Sequence, residues 1–268
     1  MKTLPTIYMG WDSREPEAYD LAAATIVQNA SGPVRVLPIY MRRLESMGIL
    51  RRPYQRLQPG RQLVITQEGV TRRIVTKAKS GQLWDDISQA PMSTEFAIAR
   101  FAVPILHQQG LAAFFDSDVL VHGDVYELFE HCQADEDRAL WCVQHQHEAG
   151  PSYKMDGQAQ TYYARKNWSS VMVFNCSHPA NLAMNLGLLN TARGRDLHAF
   201  SWLQDQQIGK LPAEWNWLVN VTPRPQQPKI AHYTLGGPWF PNWPGAQHDD
   251  EWLAAAQDHI PGRIRHLS

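Results

Sequence analysis

The sequence predicts a single α/β domain, and its N-terminal half carries the observations that predict it. Residues 5–11 form an apolar run, residues 16–29 open with proline at a helix-start position, and residues 33–40 are rich in β-formers. This strand–helix–strand order is typical of a parallel sheet. Residues 111–115, LAAFF, predict a buried central strand. The 268 residues, 44% of them hydrophobic, are enough for one large domain spanning residues 1–268.

Residues 41–81 interrupt this pattern. They carry many arginines together with proline and glycine, and their apolar residues follow no clear period. The segment is therefore predicted to be an inserted or mobile loop region. Two interpretations of its charge remain open, namely a solvated basic loop and a basic surface for a phosphate-bearing partner.

The second half of the chain predicts further alternating elements. A helix is expected over residues 93–109, with a kink at Pro104, just before the central strand. Later strands are predicted at 139–144, 169–176 and 229–233, and later helices at 179–192, at 199–209 and near 250–257. Residues 240–268, a C-terminal extension, are expected to wrap back over the sheet.

Composition narrows the possible settings and partners. The net charge of −1 and the sequence pI near 6.8 give no general attraction to nucleic acid or to an anionic membrane. The N-terminal residues lack a sustained apolar run, and no window approaches the length of a transmembrane span. Three cysteines do not form a disulfide framework or a paired zinc motif. We therefore expect a reduced, cytoplasmic setting.

Three aspartates follow the central strand in the stretch FFDSDVLVHGDV. Asp116 and Asp118 are separated only by Ser117, so both carboxylates can converge on one point at the carboxyl end of the strand. Such a pair can share Mg²⁺ or Mn²⁺, although a carboxylate that merely caps a turn is an equally open alternative. Asp124 lies two residues before a predicted short helix, 126–129, and is better explained as its cap.

A histidine near the C-terminus has the position expected of a further ligand. His232 ends an apolar run and is followed by Gly236 and Gly237, whose small size lets backbone N–H groups approach a ligand closely. This arrangement suits a site for a cation and a phosphate. A hydrogen-bonded structural histidine remains the alternative.

Several motifs recur in a characteristic order along the chain: IYMGWD, STEFAIARF, FFDSDVLVHGDVYELF, SSVMVFNC, WLQDQQIG, LPAEWNWL and HYTLGGPW. Together they resemble the retaining GT-A glycosyltransferases of the family-8 type, the group that contains glycogenin and the bacterial lipopolysaccharide galactosyltransferases. The resemblance covers roughly residues 5–40 and 93–245. It implies the GT-A fold, a Rossmann-like mixed sheet with flanking helices. It also implies Mn²⁺- or Mg²⁺-dependent transfer of a sugar, with retention, from a nucleotide-sugar (UDP-linked in most members) to a glycan acceptor.

The resemblance also implies roles for individual residues. Asp116, Asp118 and His232 would hold the cation, and Asp205 with Gln206 would line the sugar side of the site as the catalytic pair. The residues expected to bind the donor are Trp11, Asp12, Lys77, Arg100, Ser117, Gly236, Gly237 and Trp239. Among these, Lys77 is a candidate source of positive charge if the 41–81 region closes over the donor.

The sequence departs from the family pattern at two motif positions. Trp168-Ser169-Ser170 stands where the family has Asn-Ala-Gly, and Gly237 stands where a lysine often precedes Pro-Trp. These departures keep two alternatives open. One is a metal-dependent phosphohydrolase or nucleotidyltransferase, and the other is a non-catalytic sugar-nucleotide-binding protein of the same fold.

Overall fold

The structure is a computed structural model that describes residues 4–67, 70–133, 135, 137–146 and 165–263. The described residues form strands β1 (Thr6–Gly10), β2 (Arg35–Ile39), β3 (Tyr54–Leu57), β4 (Gln62–Gln67), β5 (Val70–Val75), β6 (Gln82–Asp85), β7 (Ala90–Met92), β8 (Leu111–Phe115), β9 (Val119–Val121), β10 (Leu140–Cys142), β11 (Val171–Asn175), β12 (Ile208–Lys210), β13 (Trp217–Leu218) and β14 (Ile230–His232). The helices are α1 (Pro16–Asn29), α2 (Met41–Ser46), α3 (Val103–His107), α4 (Val125–Gln133), α5 (Leu186–Thr191), α6 (Gly194–His198) and α7 (Asp249–His259).

A six-stranded mixed sheet in the order β12-β10-β11-β8-β1-β2 forms the centre of the molecule. Strands β2, β1 and β8 are parallel, whereas β11 runs antiparallel to β8, with Val171 paired to Phe115. The carboxyl ends of β1 and β8 therefore lie at the same edge as the beginning of β11. The predicted mixed α/β fold is confirmed, and this edge is where a ligand site is expected.

Hydrophobic clusters cover both faces of the sheet because side chains alternate along each strand. Ala112 and Phe114 of β8 belong to one cluster, and Ala113 and Phe115 belong to the other. A third cluster joins α1 to the C-terminal residues through Trp252 of α7, which is fully buried. The C-terminal segment thus packs back onto the domain, as expected.

A second sheet, in the order β13-β14-β9, lies beside the first. Its antiparallel pairing places His232 opposite Val119, immediately after the aspartates. Two smaller sheets, β3-β6-β7 and the β4-β5 hairpin, arise from the residues between α2 and β8. The basic segment 41–81 thus contains regular elements, and its interpretation as an inserted or mobile region stays a prediction.

Several predicted helices differ from those observed. The helix expected over 93–109 is reduced to a 3-10 turn, Ala99–Ala102, and to α3, where Pro104 lies in the first turn rather than at a kink. The helix predicted at 199–209 is wrong. Helix α6 ends at His198, Phe200 has a left-handed φ of +54°, and the predicted span contains only a 3-10 turn, Asp205–Gln207, before β12. No helix among the described residues has the length and hydropathy to cross a membrane.

Candidate functional site

The two aspartates of the D-S-D motif lie in the turn between β8 and β9. The backbone N–H of Asp116 donates to the carbonyl of Ser170 at 2.8 Å, which continues the pairing of β8 with β11 past its last residue. Both carboxylate residues are buried, with 8% and 3% exposure for Asp116 and Asp118. Ser117 between them is buried as well, and its Oγ has no hydrogen-bond partner among the described residues. The turn therefore holds two carboxylates out of bulk water at the edge of the sheet.

His232 faces both of these carboxylates. Its Nε2 atom lies 3.2 Å from Oδ1 of Asp118 and 3.9 Å from Oδ2 of Asp116. Its other nitrogen, Nδ1, lies 3.1 Å from Oδ1 of Asn216. The Asn216 amide group donates to Oγ of Ser170 at 2.8 Å and to the carbonyl of Asn167 at 3.4 Å, and this fixes which atom is its oxygen. Because that oxygen can only accept, Nδ1 of His232 carries a proton, and Nε2 is the ring nitrogen that faces the carboxylates.

This arrangement has the donor set of a divalent-cation site. Ligand atoms of Asp116, Asp118 and His232 all lie within 4.8 Å of one another. Two carboxylates that face one point repel each other unless positive charge lies close to them. Carboxylate oxygens with one imidazole suit a divalent cation, and Asn216 has the position of an outer-shell residue that orients a metal-bound histidine. The residues present therefore fit a divalent cation. Asn216 belongs to the LPAEWNWL motif, but sequence reasoning assigned it no role.

Arg100 fixes one side of the site. Its guanidinium pairs with Oδ1 of Asp116 at 2.8 Å and donates to the carbonyl of Ser169 at 2.8 Å. The same group stacks over Phe96 and Phe114, with 5.2 and 5.1 Å from its central carbon to the ring centroids. Held from several directions and only 5% exposed, Arg100 orients Asp116 and contributes a fixed positive charge. Its predicted contact with a donor stays a prediction.

Trp11 and Asp12 follow β1 and lie at the same edge of the sheet. Asp12 is fully buried, accepts hydrogen bonds from Arg14 and from the backbone N–H of Glu95, and pairs with Arg14 at 2.6 Å. Burial alone would raise the pKa of Asp12, but the Arg14 guanidinium and these hydrogen bonds outweigh it and hold the pKa below its ordinary value. The Trp11 ring packs on Tyr40, with 5.0 Å between ring centroids.

A cavity opens beside Asp116 and Arg100. It is bounded by residues 90–94, by Asn167 and Ser169 before β11, and by Gly194, Arg195 and His198 of α6. The Ser169 hydroxyl lies 2.6 Å from Nδ1 of His198. Burial, together with the nearby Arg100 guanidinium, holds the pKa of His198 well below its ordinary value, so the imidazole is neutral. Sequence reasoning assigned no role to Arg195, His198 or Lys166, which also lines the cavity, because none of them lies in a quoted motif.

The structure does not bring Asp205 and Gln206 into this cavity. Asp205 and Gln206 come just before β12, whose Ile208 pairs with Leu140 of β10. Leu140 in turn pairs with Phe174, near the carboxyl end of β11. Since β11 runs antiparallel to β8, this end of the sheet is opposite to the one that carries Asp116. The Asp205 side chain is 87% exposed and pairs with Arg165, and Gln206 is exposed too. Residues of α6 occupy the cavity wall where the sequence led us to expect this pair.

The segment after His232 packs inward. Gly236 has a φ of +110°, a conformation that favours glycine. A Cβ at Gly237 would lie 2.2 Å from the Trp239 ring, so a lysine here, which the family-8 pattern often has, would force that ring to move. Trp239 itself is 3% exposed and packs with Tyr233, Phe240 and Trp252. Trp239 is thus a core residue, and its predicted contact with a donor is not tested. The other predicted cation, Lys77, is exposed just after β5.

The Asp124 side chain accepts hydrogen bonds from nearby backbone N–H groups. Its Oδ1 accepts from the backbone N–H of Tyr126 at 3.0 Å, in the first turn of α4, and from that of Ser31 at 3.1 Å. These bonds lower the pKa of Asp124 despite its partial desolvation, which acts to raise it. The prediction that Asp124 caps a helix is therefore confirmed.

The chain is similar in sequence to one plant protein and in fold to several solved glycosyltransferase structures. Protein CDI of Arabidopsis thaliana is 36% identical over 260 residues, which cover 94% of this chain and 86% of that protein. No protein-family model matches the chain. Among solved structures, the glycosyltransferase GlyE of Streptococcus pneumoniae TIGR4 matches 95% of this chain with a TM-score of 0.55 and 13% identity. The bifunctional glycosyltransferase WbbM matches all of it with a TM-score of 0.59 and 15% identity.

The extent of these structural matches differs between proteins. The chain spans 60% of the length of GlyE and 52% of that of WbbM. An active-site mutant of LgtC is matched over its whole length, with a TM-score of 0.52, 12% identity and 98% of this chain covered. At such low identities the likeness concerns the fold, which is that of the GT-A type.

Proposed function

The chain belongs to the same family as Protein CDI of Arabidopsis thaliana and has the GT-A fold, and we propose that it is a metal-dependent glycosyltransferase. In this proposal it transfers a sugar from a nucleotide-sugar, UDP-linked, to a glycan acceptor. The observation that carries the proposal is the convergence of the Nε2 atom of His232 with the carboxylates of Asp116 and Asp118.

Asp116, Asp118 and His232 are the proposed ligands of Mn²⁺ or Mg²⁺. A cation bound by them would supply positive charge to the nucleotide diphosphate and stabilise it as a leaving group. Arg100 orients Asp116 toward that position through their 2.8 Å ion pair. Trp11 and Asp12, at the neighbouring strand end, are the proposed boundary of the nucleoside pocket. The backbone around Gly236 is proposed to approach the diphosphate.

Retention of configuration is inferred from the family-8 resemblance. His198 is a poor base candidate because it is bonded to Ser169 and resists protonation. We therefore favour transfer on one face of the sugar, in which the departing diphosphate accepts the proton of the acceptor hydroxyl. In such a reaction the protein contributes positioning and electrostatic stabilisation.

One observation favours a second candidate, a sugar-nucleotide-binding protein that has no transferase activity. Asp205 and Gln206, the expected catalytic pair, precede an edge strand at the opposite end of the sheet. The phosphohydrolase alternative has less support, since the candidate site among the described residues has only two carboxylates.

Calorimetric titration of the full chain with UDP, in Mn²⁺ and then in excess EDTA, tests the metal site. We expect binding in Mn²⁺, at least about 10-fold weaker binding in EDTA, and the same loss in Asp118→Ala. Asp124→Ala is the matched control, because Asp124 is a helix cap in the same stretch and should leave UDP affinity unchanged. Equal UDP binding in EDTA would refute the metal assignment. Release of UDP from UDP-sugars then separates the candidates, since a pure binding protein releases none.

A further inference from the structure

We propose that Thr94 sets the sugar specificity of the donor site, through a hydrogen bond between its Oγ1 atom and a hydroxyl group of the transferred sugar. The preferred substrate is then a nucleotide-sugar that carries a hydroxyl at the matching ring position, rather than one that is deoxygenated there. This assignment rests on the proposed function, because it concerns the substrate of the same site.

The Thr94 hydroxyl is a buried polar group without a partner. Thr94 is 4% exposed, and its Oγ1 has no hydrogen-bond partner among the described residues. Most buried hydroxyls in folded proteins are bonded, since an unbonded one costs free energy. Thr25 shows the ordinary case: it is 2% exposed, donates to the carbonyl of Leu21 at 3.0 Å and accepts from the backbone N–H of Val121 at 3.3 Å. A bond to substrate would account for the departure at Thr94.

Thr94 forms part of the wall of the cavity beside Asp116. Asp116 and Arg100 line the same cavity, so it adjoins the proposed cation position. Trp11 and Asp12, the proposed boundary of the nucleoside pocket, are not among the described residues that line it. With the diphosphate at the cation, the part of the donor that extends into this cavity is the sugar. Thr94 therefore lies beside the sugar rather than beside the nucleoside.

Other hydroxyls of the same wall are bonded within the protein. The Ser169 hydroxyl lies 2.6 Å from Nδ1 of His198, and the Ser170 hydroxyl donates to the carbonyl of Asn167 at 2.7 Å. A sugar that bonded to either serine would have to compete with these contacts. Thr94 has no such bond to break, and rotation about its Cα–Cβ bond can turn Oγ1 toward a ligand. Its hydroxyl can both donate to and accept from a sugar hydroxyl.

The backbone on both sides of Thr94 is held in place. The carbonyl of Ser93 accepts from the Arg14 guanidinium at 2.7 Å, and the backbone N–H of Glu95 donates to Oδ2 of Asp12 at 3.0 Å. Arg14 and Asp12 are themselves an ion pair at 2.6 Å. One ion pair thus fixes both neighbours of Thr94. A hydroxyl on a fixed backbone can favour one ring position of the sugar over the others.

The test is calorimetric titration of the full chain in Mn²⁺ with UDP, UDP-glucose and UDP-galactose. Thr94→Val removes the hydroxyl and nearly keeps the shape. We expect it to weaken the tighter-binding UDP-hexose by about 5- to 10-fold and to leave UDP affinity within about 3-fold. Thr94→Ser keeps a hydroxyl and should retain the hexose affinity to within about 3-fold. Thr25→Val is the matched control, since Thr25 is buried but is not among the described cavity residues.

Deoxygenated donors identify the sugar hydroxyl. The probes are the 2-, 3-, 4- and 6-deoxy forms of the tighter-binding UDP-hexose. One of them should bind the unmodified chain about 5- to 10-fold more weakly than the parent donor does. The same deoxygenation should cause no further loss in Thr94→Val, because both changes remove the same hydrogen bond. Independent, additive losses for all four donors would overturn the assignment.

Thermal unfolding of the ligand-free chain separates this role from a structural one. Thr94→Val should leave the melting temperature unchanged or raise it, because the hydroxyl has no bond to lose. Thr25→Val should lower it by about 3 °C or more, because its hydroxyl is bonded. An equal decrease in the two variants would assign the Thr94 hydroxyl to the fold and refute its role in binding.

The remaining outcomes also decide the matter. Equal weakening of UDP and of the UDP-hexose in Thr94→Val would assign the hydroxyl to the nucleotide instead of the sugar. Unchanged affinity for both in Thr94→Val would refute the contact and leave the glycosyltransferase proposal intact. Absence of Mn²⁺-dependent UDP binding in the unmodified chain would refute the proposed function, and the role of Thr94 with it.

Discussion

The Nε2 atom of His232 lies 3.2 Å from Oδ1 of Asp118, although the two residues are 114 positions apart in the chain. The contact is produced by the pairing of β14 with β9, which sets His232 opposite Val119. The first prediction concerns the residue that orients this histidine. Asn216→Ala removes the acceptor from Nδ1, and we expect Mn²⁺ affinity to fall by roughly 10- to 100-fold in a metal titration.

The conservative variant Asn216→Asp supplies the control for that experiment. Its carboxylate keeps an acceptor for the Nδ1 proton, so Mn²⁺ affinity should recover to within about 10-fold of the unmodified chain. If Asn216→Ala binds Mn²⁺ as tightly as the unmodified chain does, Asn216 does not orient His232 toward a cation.

The second prediction concerns Arg100. Arg100→Met removes the guanidinium that pairs with the buried carboxylate of Asp116. We expect the free energy of unfolding in urea to fall by about 3–5 kcal/mol. Mn²⁺ should then raise the melting temperature more in the variant than in the unmodified chain, because a cation offsets the same carboxylate. Arg263→Met is the control, since the Arg263–Asp20 pair is exposed and should contribute less than about 1 kcal/mol.

The third prediction tests whether Asp205 and Gln206, which match the family motif but lie at the opposite end of the sheet, take part in the reaction. Asp205→Ala and Gln206→Ala should change donor binding and turnover by less than about 3-fold, because both residues lie outside the described cavity lining. The measurement is steady-state UDP release from the preferred donor, with Asp118→Asn as the inactive reference. A loss of turnover greater than about 100-fold in either alanine variant would show that these residues reach the reacting sugar after all.

The fourth prediction restores the lysine of related sequences. Gly237→Lys places a Cβ 2.2 Å from the Trp239 ring, so the buried aromatic cluster has to shift. We expect a loss of about 1–3 kcal/mol in the free energy of unfolding and no gain in UDP affinity. Gly187→Lys in exposed α5 is the control, because the added Cβ approaches only the Asn185 side chain, at 3.0 Å. A tighter-binding and fully stable Gly237→Lys variant would contradict this account.

The fifth prediction is a pH dependence of stability. The pKa of His198 is lower in the folded chain than its ordinary value near 6.5, through burial and the charge of Arg100. The unfolded chain therefore takes up more protons below about pH 6.5. Folded-state stability should then fall on acidification by about 1.4 kcal/mol per pH unit from this group, until the folded pKa is reached.

Urea unfolding at pH 8.0 and 5.0 measures this effect. The decrease in the free energy of unfolding should be smaller in His198→Asn than in the unmodified chain. The exposed His131→Asn should leave the decrease unchanged. An equal decrease in the His198 variant and the unmodified chain would show that protonation of His198 does not limit stability at low pH.

The sequence by itself determined the features that depend on local pattern. Apolar runs identified β1 and β8, a proline at a helix start identified α1, and β-forming residues identified β2. The position of aspartates after an apolar strand identified the edge that carries the candidate site. Asp124 was assigned to a helix cap from its neighbours alone, because a cap bonds to backbone groups two residues away.

Only the tertiary structure decided which distant residues share the site. The motif D-Q suggested a catalytic pair, but the parallel pairing of β12 with β10 carries Asp205 and Gln206 to the opposite end of the sheet. The tertiary packing also brings Asn216, Arg195 and Lys166 to the site, although the sequence assigned them no role. Local periodicity follows from backbone geometry, whereas the neighbours of a side chain depend on strand order and direction, which are set by contacts between residues far apart in sequence.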